Sequence, residues 1–450
     1  MRSASSLALL GILIVGVIAH ASATAANAEN VDWPAWWPRI LGAQLTVIDQ
    51  GVLPFHSPYQ GPNSFKANGD DEISHTYGLY FGSRVFPTTE VYADVEMGRG
   101  TGISNATGVG GFTNGDVIRI GTVNLGEDPY LARAFLRQII PLGPETVDLE
   151  RQMDQLPGRE PARRVEIKLG KLALPDDFDL NRYANSTRTQ FLNWSFFNNT
   201  AWDFAADTRG YSNGVTVAWL NPGWALRFAV YQVVTFANGN VFDDDLLRAQ
   251  GNNVELTLGP FTTGTVVRLL GYANQGRMGD YREAIARARA VGQAPSIAAD
   301  ERPGRLKYGF GLNLEQPITD DGETGAFARL GWNDGNSEDF MFSEVDHLFS
   351  GGVQVSGSHW GRPSDRIGLA YAAEGLSTPH RRYLAAGGSG FMLGDGRLNY
   401  DFERVFEMYY RWQVLSRVQV SPDFQYIENP GYNRDRGPAF VFALRLHVAY

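Results

Sequence analysis

The last eleven residues, Phe440-Val-Phe-Ala-Leu-Arg-Leu-His-Val-Ala-Tyr450, constrain the fold more than any other stretch. Phe440, Phe442, Leu444, Leu446, Val448 and Tyr450 fall on every second position, so in a strand they share one face. Val441, Ala443, Arg445, His447 and Ala449 share the other, and that face carries the charge. Eleven residues at ~3.3 Å each, tilted by about 40°, rise roughly 27 Å, the height of the apolar band on an outer-membrane barrel. A strand of this kind ending on an aromatic residue is the expected close of a transmembrane β-barrel.

The other end of the chain points to export. Arg2 precedes an apolar run, Leu7–Ala19, with small residues at Ala21-Ser-Ala23 and Ala26-Asn-Ala28. Such a run is shorter than the about 20 residues a membrane helix needs. It fits the core of a secretory signal spanning residues 1–28, cleaved after Ala28, followed by a periplasmic segment 29–39 and a barrel domain 40–450. Cysteine is absent, which removes disulfides, thiol catalysis and thiolate metal sites. The net charge of −10, with no basic tract, argues against nucleic acid as a partner.

Alternation recurs along the chain. Tyr77, Leu79 and Phe81 oppose Tyr80 and Arg84, and Val91, Ala93, Val95 and Met97 oppose Tyr92, Asp94 and Glu96. Val165, Ile167 and Leu169 oppose Arg164, Glu166 and Lys168, and Trp224, Leu226 and Phe228 oppose Arg227. The same holds for Tyr308–Leu314 against Lys307, Asn313 and Glu315, for Ala328, Leu330 and Trp332 against Arg329, and for Phe406–Trp412 against Glu407, Tyr409 and Arg411. Alternation alone also fits a soluble sandwich. Charges in mid-strand on one face only, and aromatics near strand ends (Tyr77, Trp219, Trp224, Trp332, Trp412, Tyr450), favour a membrane barrel with polar lumen and interfacial girdles. Asn221-Pro-Gly223 and Leu415-Ser416 read as periplasmic turns, and the count comes to about 16 antiparallel strands.

One stretch breaks the pattern. Between Leu172 and Tyr211 run Asp176–Tyr183, Thr187–Trp194 and Asn198–Asp203, too long for a hairpin and too aromatic for a disordered loop. Long ordered loops are usually functional. The expectation is a loop folded into the lumen; the alternative is a lid on the outer rim.

In its ordered matches the chain resembles the carbohydrate-selective porins of the OprB type from about residue 40 onwards. They are His56-Ser-Pro-Tyr-Gln-Gly-Pro-Asn-Ser64, Gly170-Lys-Leu172, Thr189-Gln-Phe-Leu-Asn-Trp194 and Trp202-Asp-Phe-Ala-Ala-Asp-Thr-Arg-Gly-Tyr211, then Gly331-Trp-Asn-Asp-Gly335, Gly394-Asp-Gly396 and Tyr432-Asn-Arg-Asp-Arg-Gly-Pro438. The resemblance implies an outer-membrane barrel of about 16 strands with a water-filled pore admitting sugars such as glucose. Ala284–Asp300, helical and rich in Ala and Arg, falls outside that pattern and reads as an external loop.

A sugar presents hydroxyls around an apolar ring face. Arginine supplies a rigid fork of donors and carboxylates supply acceptors, while weak contacts allow release. The inward-facing candidates for the pore lining are Arg84, Asp94, Glu96, Arg227, Arg329, Glu407 and Arg411. The loop adds Asp177, Arg182, Arg188, Asn193, Trp194, Trp202 and Asp203. For most wall charges, pairing along the wall is the plainer expectation. The candidate partners are small neutral sugars, outer-membrane lipid and the barrel assembly machinery through the strand ending at Tyr450. Monomer and trimer stay equally open.

Other chemistries have less support. The seven histidines show no pair at zinc-ligand spacing, and no cofactor motif is present. Gly387-Gly-Ser-Gly390 lacks the strand–helix context of a phosphate loop, and Asp243-Asp-Asp245 lacks calcium-loop spacing. Ser343, Asp346 and His347 stand close in sequence, as a hydrolase would need, but a polar loop triplet is the plainer reading. The same fold could also serve as a general diffusion pore or an exporter of acidic polysaccharide. An exporter wants an arginine-rich, acid-poor lumen, and this inward face mixes both signs.

Overall fold

The computed structural model describes Pro34 and residues 36–116 and 125–450. The proposed signal, residues 1–28, lies outside them. Among the described residues sixteen antiparallel strands close into one barrel, and two short strands form a separate hairpin. In chain order they are β1 (Arg39–Val52), β2 (Asp70–Phe86), β3 (Thr89–Gly100), β4 (Tyr130–Pro141), β5 (Thr146–Leu149) and β6 (Gly158–Pro161). Then come β7 (Arg164–Leu172), β8 (Ser212–Asn221), β9 (Trp224–Gln232), β10 (Gln250–Leu258), β11 (Val266–Met278) and β12 (Arg302–Thr319). The rest are β13 (Thr324–Asn333), β14 (His347–Ser356), β15 (Arg366–Gly375), β16 (Glu403–Leu415), β17 (Val418–Glu428) and β18 (Ala439–Ala449). Each strand pairs with its sequence neighbour, except that β4 pairs β7 across the small hairpin β5–β6.

The terminal strand closes the cylinder. β18 pairs β1 from Gln44↔Ala449 to Val52↔Val441, so no strand edge is left unpaired in the wall. Its alternation is the one the sequence shows: Phe442 is 48% and Leu444 53% exposed, whereas Arg445 between neighbouring strands is 1% exposed. An apolar face left bare on a closed barrel is the face that meets lipid. Trp219 packs edge-on against Trp224 with ring centres 5.2 Å apart, beside the turn Asn221-Pro-Gly223. No helix among the described residues is long and apolar enough to cross a membrane.

The barrel end bearing Arg39 and Tyr450 carries short links, such as residues 87–88, 222–223 and 416–417. Short turns mark the periplasmic end and long loops the outer one. At the outer end helix α2 (Tyr281–Val291) begins where the Asp280 carboxylate accepts from the backbone N–H of Arg282 and Glu283, and stops at Gly292 in the left-handed region. It packs on helix α3 (Thr378–Ala385), where the Tyr281 ring lies flat on His380 at 4.3 Å. The segment 284–300 is therefore partly helix in an outer loop.

The loop of residues 173–211, L3, fills the lumen. It contains a 3-10 turn at Leu174–Asp176 and one α-helical turn, α1 (Trp194–Phe197), capped by the Asn193 side chain. Wall groups reach inward to hold it. Glu407 accepts from the backbone N–H of Leu192 and Asn193, and Arg445 donates to the carbonyls of Thr187 and Gln190. Arg329 donates to Asp179 and to the carbonyls of Ala184 and Phe196. On its far side L3 descends to the turn at residues 320–323, where the Tyr183 hydroxyl donates to the Gly322 carbonyl at 2.9 Å. Buried charges of this kind fix a loop in one place, because leaving either partner unpaired costs about 3–5 kcal/mol.

Candidate functional site

Where L3 turns back toward β8, it leaves a cavity of about 270 Å³ between itself, the wall and the loop of residues 101–116. One side is charged. Glu96 receives hydroxyl hydrogen bonds from Tyr80 (2.9 Å), Tyr130 (3.2 Å) and Tyr211 (2.5 Å). Burial first, and Glu96 next, hold the Tyr211 phenol well above its usual pKa, so it remains a donor. Arg188 of L3 pairs with Asp116 at 2.8 Å and with Glu96 at 3.4 Å. Burial alone would lower the Arg188 pKa, but Asp116 and Glu96 outweigh it and keep the guanidinium charged.

Arg133 completes the charged side. It forks onto Asp176 at 2.6 and 2.7 Å, reaches Asp94 at 3.3 Å, and lies over the Tyr211 ring. Arg209 covers the Tyr130 ring at 4.4 Å, and its Nε has no hydrogen-bond partner among the described residues.

The facing side is aromatic. Trp194 stacks on Phe342 with centres 5.0 Å apart and planes at 10°, and Phe342 stacks in turn on Phe204 at 4.8 Å. Phe112 and Phe197 meet Trp194 edge-on. All of these rings border the cavity. A space with flat apolar rings on one side and forked donors with carboxylates on the other matches a small polyol that has two unlike faces.

The residues that alternation and the long loop single out divide by position. Glu96, Arg188 and Trp194 border the cavity. Asp94 stands just below it, on Arg133. Arg84 sits near the periplasmic end, paired with Glu90 at 2.6 Å, and Arg182 reaches Glu323 at 2.9 Å near the same end. Asp177 pairs with Lys168, and Arg227 bonds Thr257 beside Glu255, both along the wall. Arg411 faces inward on β16, with its Nε unpartnered among the described residues.

Asn193, Trp202, Asp203, Arg329 and Glu407 are instead buried between L3 and its supports and do not border the cavity. The Trp202 indole donates to Asn253, and Asp203 accepts from the backbone N–H of Phe340 and Met341. The physical reason is that an inward-folded loop must be satisfied by the wall it covers, so inward-facing charges become its anchors.

Several cavity residues escape an alternation reading. A register shift against β3 makes Ala132 an extra residue, so Leu131 and Ala132 fall out of step and β4 alternates regularly only from Arg133 on. Asp116, Asp176, Arg209 and Phe342 lie in loops, where no period exists to reveal them. The Trp202–Tyr211 segment, which holds Arg209 and ends on Tyr211, is the only signal that could have found that pair.

Other clusters resolve into structure. Asp339, Asp346 and His380 converge at the outer end, but the Lys307 ammonium lies 2.5 Å from Asp339 and 4.0 Å from Asp346, so the protein supplies the cation itself. Ser343 donates to the Thr200 carbonyl and Asp346 meets His380 at 3.1 Å, so neither is arranged around His347 as a triad would be.

Sixteen lipid-facing strands around a charged lumen narrowed by an inward loop define an outer-membrane channel of the porin class. The family described as carbohydrate-selective porin, OprB family, matches residues 82–450, and the chain belongs to it. It is therefore a channel of the Gram-negative outer membrane for carbohydrate diffusion. The high-pH structure of Pseudomonas putida OprB aligns with a TM-score of 0.65 at 15% identity, covering 92% of this chain and 94% of that one. An anion-selective porin from Comamonas acidovorans aligns with a TM-score of 0.50 at 9% identity, covering 92% and 100%. At such identities the likeness is one of fold. No curated protein matches the chain.

Proposed function

We propose that the cavity beside L3 is the selectivity region of the channel, and that small neutral sugars cross it passively. Glu96, Arg133, Arg188 and Trp194 are the side chains assigned to solute contact. Asp94 and Asp116 set the field around the two arginines. The single observation that carries this reading is that rings and forked charges face each other across one space, with the charges of both signs paired. A simple ion entering that space meets its like charge as closely as its opposite, whereas a hydroxylated ring finds both a donor set and a stacking surface. The channel has no catalytic step in this account.

Liposome swelling tests it. Reconstituted protein is expected to admit glucose faster than a charged sugar acid of similar size; equal rates would make it a general diffusion pore. The strand that ends at Tyr450 is proposed as the segment handed to the assembly machinery. Its terminal ring lies against the guanidinium groups of Arg151 and Arg417.

A further inference from the structure

The link between β4 and β7 is unlike the other links at the periplasmic end. It runs through residues 142–163, whereas the longest of the rest covers residues 357–365. Its hairpin β5–β6 is held at the base by a buried network. Arg137 on β4 donates to Glu160 of the hairpin and to Glu90 and Glu166 of the neighbouring strands. The tip, residues 150–157, then turns back into the barrel. Leu156 is buried and its backbone N–H donates to the inward Tyr92 hydroxyl at 3.2 Å. Met153 packs beside Gly42, against the same cluster as Tyr80 and Tyr92.

Asp154, at the tip, stands 3.6 Å from Arg133. That guanidinium also holds Asp176 of L3 and Asp94 of the wall. One arginine thus joins a segment that enters from the periplasmic side to the loop that enters from outside. Three carboxylates share it, and Asp94 and Asp154 face each other closely enough to hold one proton between them, which leaves the junction one negative charge in excess below the selectivity cavity.

We infer that residues 150–157 form a second constriction in series with the L3 cavity, and that Asp154 is a specificity-determining residue of the pore. A solute leaving the cavity passes the tip before reaching the periplasm, and the carboxylate excess there favours cations over anions of the same size. This inference stands on the channel fold; a carboxylate excess alone slows an anionic sugar acid but not a cationic sugar, so swelling in glucosamine beside glucose separates it from selection of neutral sugars.

Two variants in planar bilayers test it. Replacing residues 145–161 by a short Gly-Ser link is expected to raise single-channel conductance about twofold or more. Asp154→Lys, which reverses the charge at the tip and lowers the net charge there even when Asp94 ionises, is expected to lower the cation-to-anion permeability ratio by about threefold at low salt. Resistance of the barrel to dodecyl sulfate at room temperature identifies folded protein. Unchanged conductance in a folded truncation overturns the constriction, and an unchanged ion ratio in folded Asp154→Lys overturns the role of Asp154. Should the truncation not fold, the point variant decides alone. Wild-type swelling by sugars is read separately, so loss of sugar preference leaves this test intact.

Discussion

Arg188 Nε stands 2.8 Å from Asp116 Oδ1, an ion pair that ties the two inward loops together at the mouth of the cavity. The same guanidinium reaches Glu96 on the wall, so one side chain both positions the loops and borders the cavity. Arg188→Ala is expected to increase ion conductance and to flatten the difference between neutral and charged solutes. Arg188→Lys keeps the charge but loses the fork, and should recover only part of the discrimination. Bilayer recordings with both variants check this; wild-type behaviour in Arg188→Ala would remove Arg188 from the pore.

Trp194 presents its ring to the cavity from a helical turn fixed by Asn193 and Glu407. Trp194→Ala removes the stacking surface while leaving the charged side in place. Aromatic pairing contributes about 0.5–1.5 kcal/mol beyond burial. Sugar block of ion current should therefore weaken by about 2–10-fold. Current-noise titration with glucose measures it, and an unchanged affinity would place the sugar elsewhere.

Arg329 is fully buried and holds Asp179 together with the carbonyls of Ala184 and Phe196. Arg329→Met should free this part of L3, because Asp179 is left as a buried, unpaired charge at a cost of about 3–5 kcal/mol. The barrel wall, which Arg329 does not hold closed, should persist. Limited proteolysis is expected to cut L3 in the variant and spare it in the wild type, with larger and noisier conductance.

Acidity should tighten the outer end. Burial pushes the Asp203 carboxyl up to about 7 and Glu344 up to about 7. A carboxyl with a raised native pKa stabilises fully below its unfolded value, near 4, and loses that contribution as pH rises through about 7. For His380 burial works against the charge, but Asp346 outweighs it and raises the pKa, so its contribution also fades as pH rises. Asp346, held near 2 chiefly by His380 despite burial, weakens the structure only in strong acid. Amide exchange at Phe340, Met341, Met392 and Leu393, which donate to Asp203 and Glu344, should be about tenfold less protected at pH 8.5 than at pH 5.5 after correction for intrinsic rates. Equal or greater protection at pH 8.5 would contradict the account.

Much of the wall was legible in the sequence, and the site was legible only in part. Strands such as Phe440–Tyr450 and Phe406–Gln413 betray themselves because lipid outside and water or loop inside impose opposite chemistry on adjacent residues. The same alternation places Glu96 on the inward face. It could not distinguish Glu96, which borders the cavity, from Glu407, which caps two backbone N–H groups of L3, because both point inward from strands. Contact with solute depends on where the loop lies, and that is decided by non-local anchors such as Arg329 and Arg445. The periplasmic hairpin was invisible for a similar reason: Asp154 and Leu156 gain their meaning only from Arg133 and Tyr92 on other strands.

Selection of neutral sugars by the L3 cavity is read from solute-dependent swelling of liposomes carrying the wild-type protein and Arg188→Ala side by side. Wild-type vesicles are predicted to swell several-fold faster in glucose than in gluconate, and the variant to narrow that gap. Equal rates for the two solutes in the wild type would contradict the claim that a paired-charge and aromatic cavity selects neutral sugars.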